Sequence, residues 1–263
     1  MKLLLLFLTP ILLFSKVHYA KVEPLETITL KAAVSAQVTL TKTSLEGTKI
    51  HNSTIIKLDD KLDHIKIKSS KESLKLIQSM IRTNQQILSS LNESMSRQEA
   101  YYGRISNIGS ASKTQKDNAF YAYTNSQTQY FSTKEKIDSL KKQKLDLKYE
   151  IARLQDSISK KSISIKNKFL DKLLVSAGDF VNMGTPLAKV QDLSSAKLVL
   201  FLEAKELEDI KSKTIYIDDE ASDYKVTKVW QVADEKFISS YRTEIRIQNP
   251  KKNFSKLLKV EFK

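Results

Sequence analysis

The chain has 263 residues, 41% hydrophobic and 28% charged, with 5 Gly, 4 Pro, no Cys and a formal net charge of +14. That is apolar enough for a packed core and excludes a disordered chain. Without Cys there is no disulfide framework, no thiol nucleophile, no cysteine-ligated zinc or iron–sulfur site and no lipobox cysteine.

The chain opens with Met1-Lys2, an apolar run from Leu3 to Phe14, and then Ser15-Lys16-Val17-His18-Tyr19-Ala20. A basic start, a short apolar run and a small residue before polar sequence read as a secretory signal peptide over 1–20, cleaved after Ala20. The run is shorter than the ~20 residues that span a bilayer. An uncleaved anchor is the alternative reading. Removing the leader takes away Lys2 and Lys16 and leaves a basic chain. Its lysines are dispersed, so a solvated basic surface is the plain reading, with lipid headgroups or acidic protein faces next. Export argues against nucleic acid as a partner.

The first stretch after the leader, 21–59, reads as β. It contains Leu45-Glu46-Gly47-Thr48-Lys49-Ile50-His51-Asn52-Ser53-Thr54-Ile55-Ile56. From 60 to 161 there is no Pro, and the only glycines are Gly103 and Gly109. Apolar residues recur every seven positions with a 3–4 split. One arm has Ile67, Leu74, Ile81, Leu88, Met95 and Tyr102 on one line, and Ile77, Leu91 and Ile105 on the other, interrupted by Asn84 and Gln98. The second arm has Tyr123, Tyr130, Ile137, Ile151 and Ile158, and then Ala119, Leu140, Leu147 and Leu154. Sustained heptads predict a left-handed antiparallel coiled coil. The turn falls at Asn107-Ile108-Gly109-Ser110, giving a tip near 106–111. Asp59 or Asp60 can cap the first arm, and Ser110 or Ser112 the second. The near-tip half of the second arm carries Phe120, Tyr121, Tyr123, Tyr130 and Phe131. That stripe is either a loose aromatic seam or a face where neighbouring copies pack.

After the hairpin, 162–192 contains Gly178-Asp179-Phe180-Val181-Asn182-Met183-Gly184-Thr185-Pro186-Leu187. It repeats the earlier stretch at one fixed offset: Gly47, Ile50, Ser53 and Ile56 match Gly178, Val181, Gly184 and Leu187. The pattern is an internal repeat of a short β unit, with Gly at turns and alternating aliphatics for a small core. A hairpin with equal arms returns the chain to its start and brings the two halves together as one β-sandwich. The tail, 193–263, reads as strands around 197–204, 214–217, 224–232, 243–248 and 257–262, with a short helix at 205–210.

Two half-motifs in register around an equal-armed hairpin resemble the periplasmic adaptor, or membrane fusion protein, family (HlyD-like, including RND-type efflux pump adaptors). The resemblance covers nearly all of the chain after the leader. Ile28-Thr29-Leu30 through Val38 is similar to the strand entering the family's first half-motif, and the tail is similar to its β-barrel domain. The implied fold is an elongated, multidomain α+β chain. A coiled-coil hairpin is inserted into a split lipoyl, or biotinyl-like, β-sandwich, and a β-barrel domain follows. The implied function is a non-enzymatic periplasmic adaptor of a tripartite efflux pump. It would bridge an inner-membrane transporter and an outer-membrane channel as a homo-oligomer, a hexamer or trimer of dimers. A type I secretion adaptor, a structural coiled-coil protein of the envelope and a carrier-domain enzyme subunit are the alternatives. The hairpin replaces the turn that holds the modified Lys of true lipoyl domains, so no lipoate or biotin is expected.

The family's tip resembles R-x3-L-x6-S. Here Ser112 takes the Ser place, Ile105 the Leu place and Tyr101 the Arg place, with Arg104 nearly one turn away. These four residues are the expected channel-docking set. Gly47, Ile50, Gly178, Val181, Gly184 and Leu187 are the expected turn and core positions of the lipoyl-like lobe. Elsewhere the sequence offers little chemistry. His51 and His64 lack the spacing of a metal site, and Asp59-Asp60 and Asp218-Asp219-Glu220 have no partner base. No nucleophile-elbow, Walker or dinucleotide motif is present.

Overall fold

The computed structural model of the protein describes residues 16–248, 250 and 254–263. The described part divides into two compact units, one of residues up to Lys57 and from Ile163 on, the other Leu58–Ser162. The first unit is β. Its strands are β1 (His18–Lys31), β2 (Ala36–Thr41), β3 (Thr48–Leu58), β4 (Ser162–Leu173), β5 (Phe180–Val181), β6 (Pro186–Glu203), β7 (Ile215–Ile217), β8 (Glu220–Ser222), β9 (Val226–Val229), β10 (Ser240–Gln248) and β11 (Leu257–Phe262). The second unit is helical, α1 (Lys61–Ser106) and α2 (Lys113–Lys160). The chain is therefore α+β, with the helical pair inserted in sequence between the halves of the β unit.

The strands run β5-β2-β3-β4-β6-β1-β11-β7-β8, with β10 on β6 and β9 on β10. The two repeat halves clasp each other through the backbone. Ala32 N–H donates to Thr185 O and Gly184 N–H to Ala32 O, at 2.9 and 2.8 Å. Val38 N–H donates to Asp179 O and Gly178 N–H returns to Val38 O, at 2.8 and 2.9 Å. Gly47 N–H donates to Leu170 O at 2.8 Å, and the Glu46 carboxylate accepts Leu173 N–H. Ala36 pairs with Val181 across β2 and β5. Ile50, Ile55, Ile56, Leu170, Val181, Leu187 and Val190 are buried in this unit.

Gly178 and Gly184 stand at φ 99° and 88°. A side chain there would sit in a conformation that L-residues rarely adopt, which is why these turns carry Gly. Gly47 is also at positive φ. The repeat breaks at its third position, where Ser53 lies inside the continuous strand β3 while its match Gly184 turns.

The second core belongs to the barrel. Ala196, Leu198, Leu200 and Leu202 alternate inward along β6 and meet Ile245 and Ile247 of β10, Leu258 and Val260 of β11, Ile215, and Ala20 and Val22 of β1. Period-2 burial of this kind comes from the pleat, and each large aliphatic contributes roughly 1.5–3 kcal/mol.

Two expected boundaries fall inside elements. β6 runs unbroken through 192/193, because its inward positions serve the lobe at one end and the barrel at the other. Residues 1–15 of the expected leader lie outside the described residues, but 16–20 do not. β1 begins at His18 and pairs His18 to Lys21 with Val260 to Leu257. Ala20, read from sequence as the last leader residue, is 1% exposed in the barrel core.

The two-residue connection between β7 and β8 is Asp218-Asp219, both at positive φ (48° and 71°). That is the geometry of a type I′ hairpin turn. The acidic cluster is turn chemistry, held by Asp218 accepting Lys259 N–H at 3.0 Å.

Candidate functional site at the hairpin tip

The helical pair is built on the two heptad lines. Its buried residues are Ile67, Ser70, Ile81 and Asn84 on α1 and Ala119, Ile137, Leu140, Ile151 and Leu154 on α2. Every one of them falls on those lines or their extension. At 46 and 48 residues the arms are about 70 Å long. At the open end Leu58 N–H donates to Lys161 O at 2.8 Å, and Lys161 Nζ meets the Asp63 carboxylate at 2.5 Å. Asp60 is the N-cap of α1 without a side-chain cap bond; Asp59 instead accepts Lys61 N–H at 3.2 Å.

The other end is the tip. The last turn of α1 tightens as Ile108 N–H donates to Ile105 O at 3.2 Å, and Ala111 N–H then donates to Ile108 O at 3.3 Å. Ser112 opens α2 with a full capping box. Its Oγ accepts Gln115 N–H at 3.2 Å while Gln115 Oε1 accepts Ser112 N–H at 2.9 Å, which satisfies two otherwise orphaned donors. Behind the turn Tyr102 lies parallel to Tyr123, centroids 6.2 Å apart, and tilts on Phe120 at 5.5 Å.

Of the four expected docking residues, Tyr101 and Arg104 are exposed, Ile105 is half-buried on a core line, and Ser112 is exposed but engaged as the cap. Ile108, 44% exposed at the apex, was not among them; an aliphatic residue inside an Asn-x-Gly-Ser turn is the signal that pointed to it. Arg104 suits the negative end of the α1 dipole. Lys113 and Lys116 do not suit the start of α2, whose first turn has no acidic residue. The capping box offsets that cost, and the tip surface is basic.

Among the described residues no group of three or more His, Asp and Glu is gathered for a metal. His51 is exposed, His64 lies 3.4 Å from the Asp60 carboxylate, and His18 Nε2 lies 2.7 Å from Glu206 Oε1. Glu150 is held at about 2 by hydrogen bonds from Arg153 and Lys66, a surface brace between α1 and α2.

No protein-family model matches the sequence, and no curated protein matches it. Solved structures do match. MacA from Actinobacillus actinomycetemcomitans superposes with a TM-score of 0.74 at 15% identity, over 95% of this chain and 78% of that one. The membrane fusion protein Spr0693 from Streptococcus pneumoniae R6 gives 0.65 at 9% identity, over 95% and 99%. A MacA chimera carrying the Pseudomonas aeruginosa MexA α-hairpin gives 0.62 at 16% identity, over 95% and 78%. A split β lobe clasped through its backbone, an inserted heptad hairpin and a barrel that follows are thus shared along almost the whole chain, and the chain has the fold of the membrane fusion proteins.

Proposed function

We propose that this chain is a periplasmic adaptor subunit of a tripartite efflux pump, exported by its leader and free of catalytic function. It joins an inner-membrane transporter to an outer-membrane channel, and the hairpin tip is the channel-docking end. The observation that carries this reading is the fold, matched to a membrane fusion protein over 95% of the chain. The tip supports it. A basic, capped helix end with Tyr101, Arg104 and Ile108 exposed suits a surface of helix ends and carboxylates. The exposed Phe120, Tyr121 and Phe131 suit side-by-side packing of copies into a closed ring, hexamer or trimer of dimers, in which many small contacts add up. The leader ends upstream of His18, since cutting after Ala20 would strip the first rungs from β1.

The chain has no Cys, so Arg104→Cys and Ile108→Cys give unique crosslinking handles. In envelopes of the native host both positions capture an outer-membrane channel protein. Capture of lipid or peptidoglycan alone overturns the pump reading in favour of a structural envelope protein.

A further inference from the structure

We propose that the connection between β9 and β10, residues 230–239, is a membrane-surface contact: Val232, Phe237 and Ile238 enter the headgroup region of a lipid bilayer, with Trp230 and Tyr241 at the interface level. Val232 is 79% exposed, Ile238 85% and Phe237 50%. A soluble surface seldom groups such side chains on one short tip without a use for them.

The tip is built to present them. Asp234 N–H donates to Ser240 O at 2.9 Å and Ser240 N–H to Phe237 O at 2.8 Å. The Asp234 carboxylate accepts the N–H groups of Lys236 and Phe237 at 2.9 and 3.2 Å. Phe237 leans on Phe201, centroids 4.3 Å apart. Four backbone N–H groups are thereby paired inside the tip, which lowers the cost of entering a poorly hydrated layer. Below the tip come Trp230 and Tyr241. Trp230 N–H donates to Arg242 O at 2.9 Å, and the Arg242 guanidinium lies 4.7 Å from the Trp230 ring. Lys228 and Glu244 pair one step further down. Apart from the Asp234-Glu235-Lys236 turn, exposed aliphatic residues, then an aromatic collar, then paired charge is an order that a bilayer interface selects.

The occupant follows from where the chain enters. Lys16 is the first described residue, and its Nζ meets Glu203 Oε1 at 2.6 Å. Glu203 pairs with Ser240 at the start of β10, so the amino terminus reaches the barrel at the end that carries the tip. The apolar run Leu3 to Phe14 stops two residues before Lys16, about 7 Å of extended chain. While it stays attached, a leader that threads a bilayer holds this end of the barrel at the bilayer surface. Three of the carboxylates there are engaged: Glu203 by Lys16, Glu206 by Glu203 N–H at 2.8 Å and by His18, and Asp234 by the backbone N–H groups of Lys236 and Phe237. Glu235 is flanked in sequence by Lys236.

Trp230 is the single Trp of the chain, so its fluorescence reads this site alone. The full chain is titrated with vesicles of phosphatidylethanolamine and phosphatidylglycerol, with and without brominated acyl chains. Trp230 emission shifts to the blue and is quenched by the brominated lipid. In the V232D/I238D variant the quenching disappears, and vesicle affinity falls at least about tenfold, which losing two aliphatic contacts accounts for. Both positions are exposed, so far-UV circular dichroism is unchanged. Wild-type chain that floats with vesicles through its leader while Trp230 stays unquenched overturns the proposal, as does equal quenching in the variant. Crosslinking of the tip to a membrane protein without lipid quenching assigns the surface to a protein partner and also overturns it. Channel capture at the hairpin tip is a separate outcome and can fail with this one intact.

Discussion

Asp192 sits on β6 between the lobe and barrel stretches of that strand. Hydrogen bonds from Lys168 Nζ, at 2.7 Å, and from Ser194 hold its carboxyl at about 2, below the usual carboxylate range. A depressed folded-state value means that the contribution to stability is complete above the unfolded value near 4 and is lost as pH falls toward about 2. Asp192→Asn therefore lowers stability at pH 7 by about 1 kcal/mol after allowance for solvent screening. The difference between the two proteins narrows as denaturant midpoints are measured at pH 5, 4 and 3. A pH-independent difference would assign the effect to the Ser194 turn instead of the charge. This pair is not legible from sequence, because residues 24 positions apart in β4 and β6 meet only through strand register. Gly47, Gly178 and Gly184 were legible for the opposite reason: a positive φ narrows the residue choice at a single position. Ser112 was legible too, as one of two candidate caps, and Gln115 three residues later is what distinguishes it from Ser110.

Helices α1 and α2 were the most legible elements, since a seven-residue period sustained over each arm has no other physical reading. What periodicity does not give is the depth of each position. Asn84 lies on a core line and is 7% exposed, where the pattern shows only an interruption. Its Nδ2 donates to Met80 O at 2.7 Å, a carbonyl already within the helix ladder. A polar residue at a core position fixes register at a cost in stability. Asn84→Leu therefore raises the melting temperature of the helical unit, by about 1 kcal/mol in stability, and loosens the pairing register of the arms. Thermal melts followed by circular dichroism read the first effect, and disulfide trapping between cysteine pairs offset by one heptad reads the second. A fall in melting temperature would mean that Asn84 satisfies more of its polar groups than the Met80 bond. Short barrel strands are less legible than the helices. The three residues of β8, beside an Asp-Asp turn, carry no alternation long enough to mark a strand. The eighteen residues of β6 serve two cores and exceed the usual strand length, so its sequence divides into two stretches.

At the scale of the whole chain the telling fact is that each unit closes on itself. The helical unit meets at Leu58 N–H and Lys161 O. In the β unit Thr54 Oγ1 and Ser164 Oγ stand 2.9 Å apart, with β3 and β4 neighbours in the sheet. The clasping bonds of Ala32, Val38 and Gly47 all lie within the β unit and need nothing from the helices. Replacing residues 59–160 by Asn-Gly should therefore join β3 to β4 through a two-residue hairpin turn. Shortening the connection also lowers the entropy of closing it. The resulting chain is expected to fold into a β body with a single cooperative thermal transition and a β-type far-UV spectrum. It is expected to keep the Trp230 response to brominated vesicles and to lose all channel capture. A chain that instead binds hydrophobic dye and melts without cooperativity would mean that the two halves of the lobe need the helices to find each other. The order of events would then be set by the hairpin, whose contacts are local along each arm and form early, with the β halves recruited afterwards at its open end.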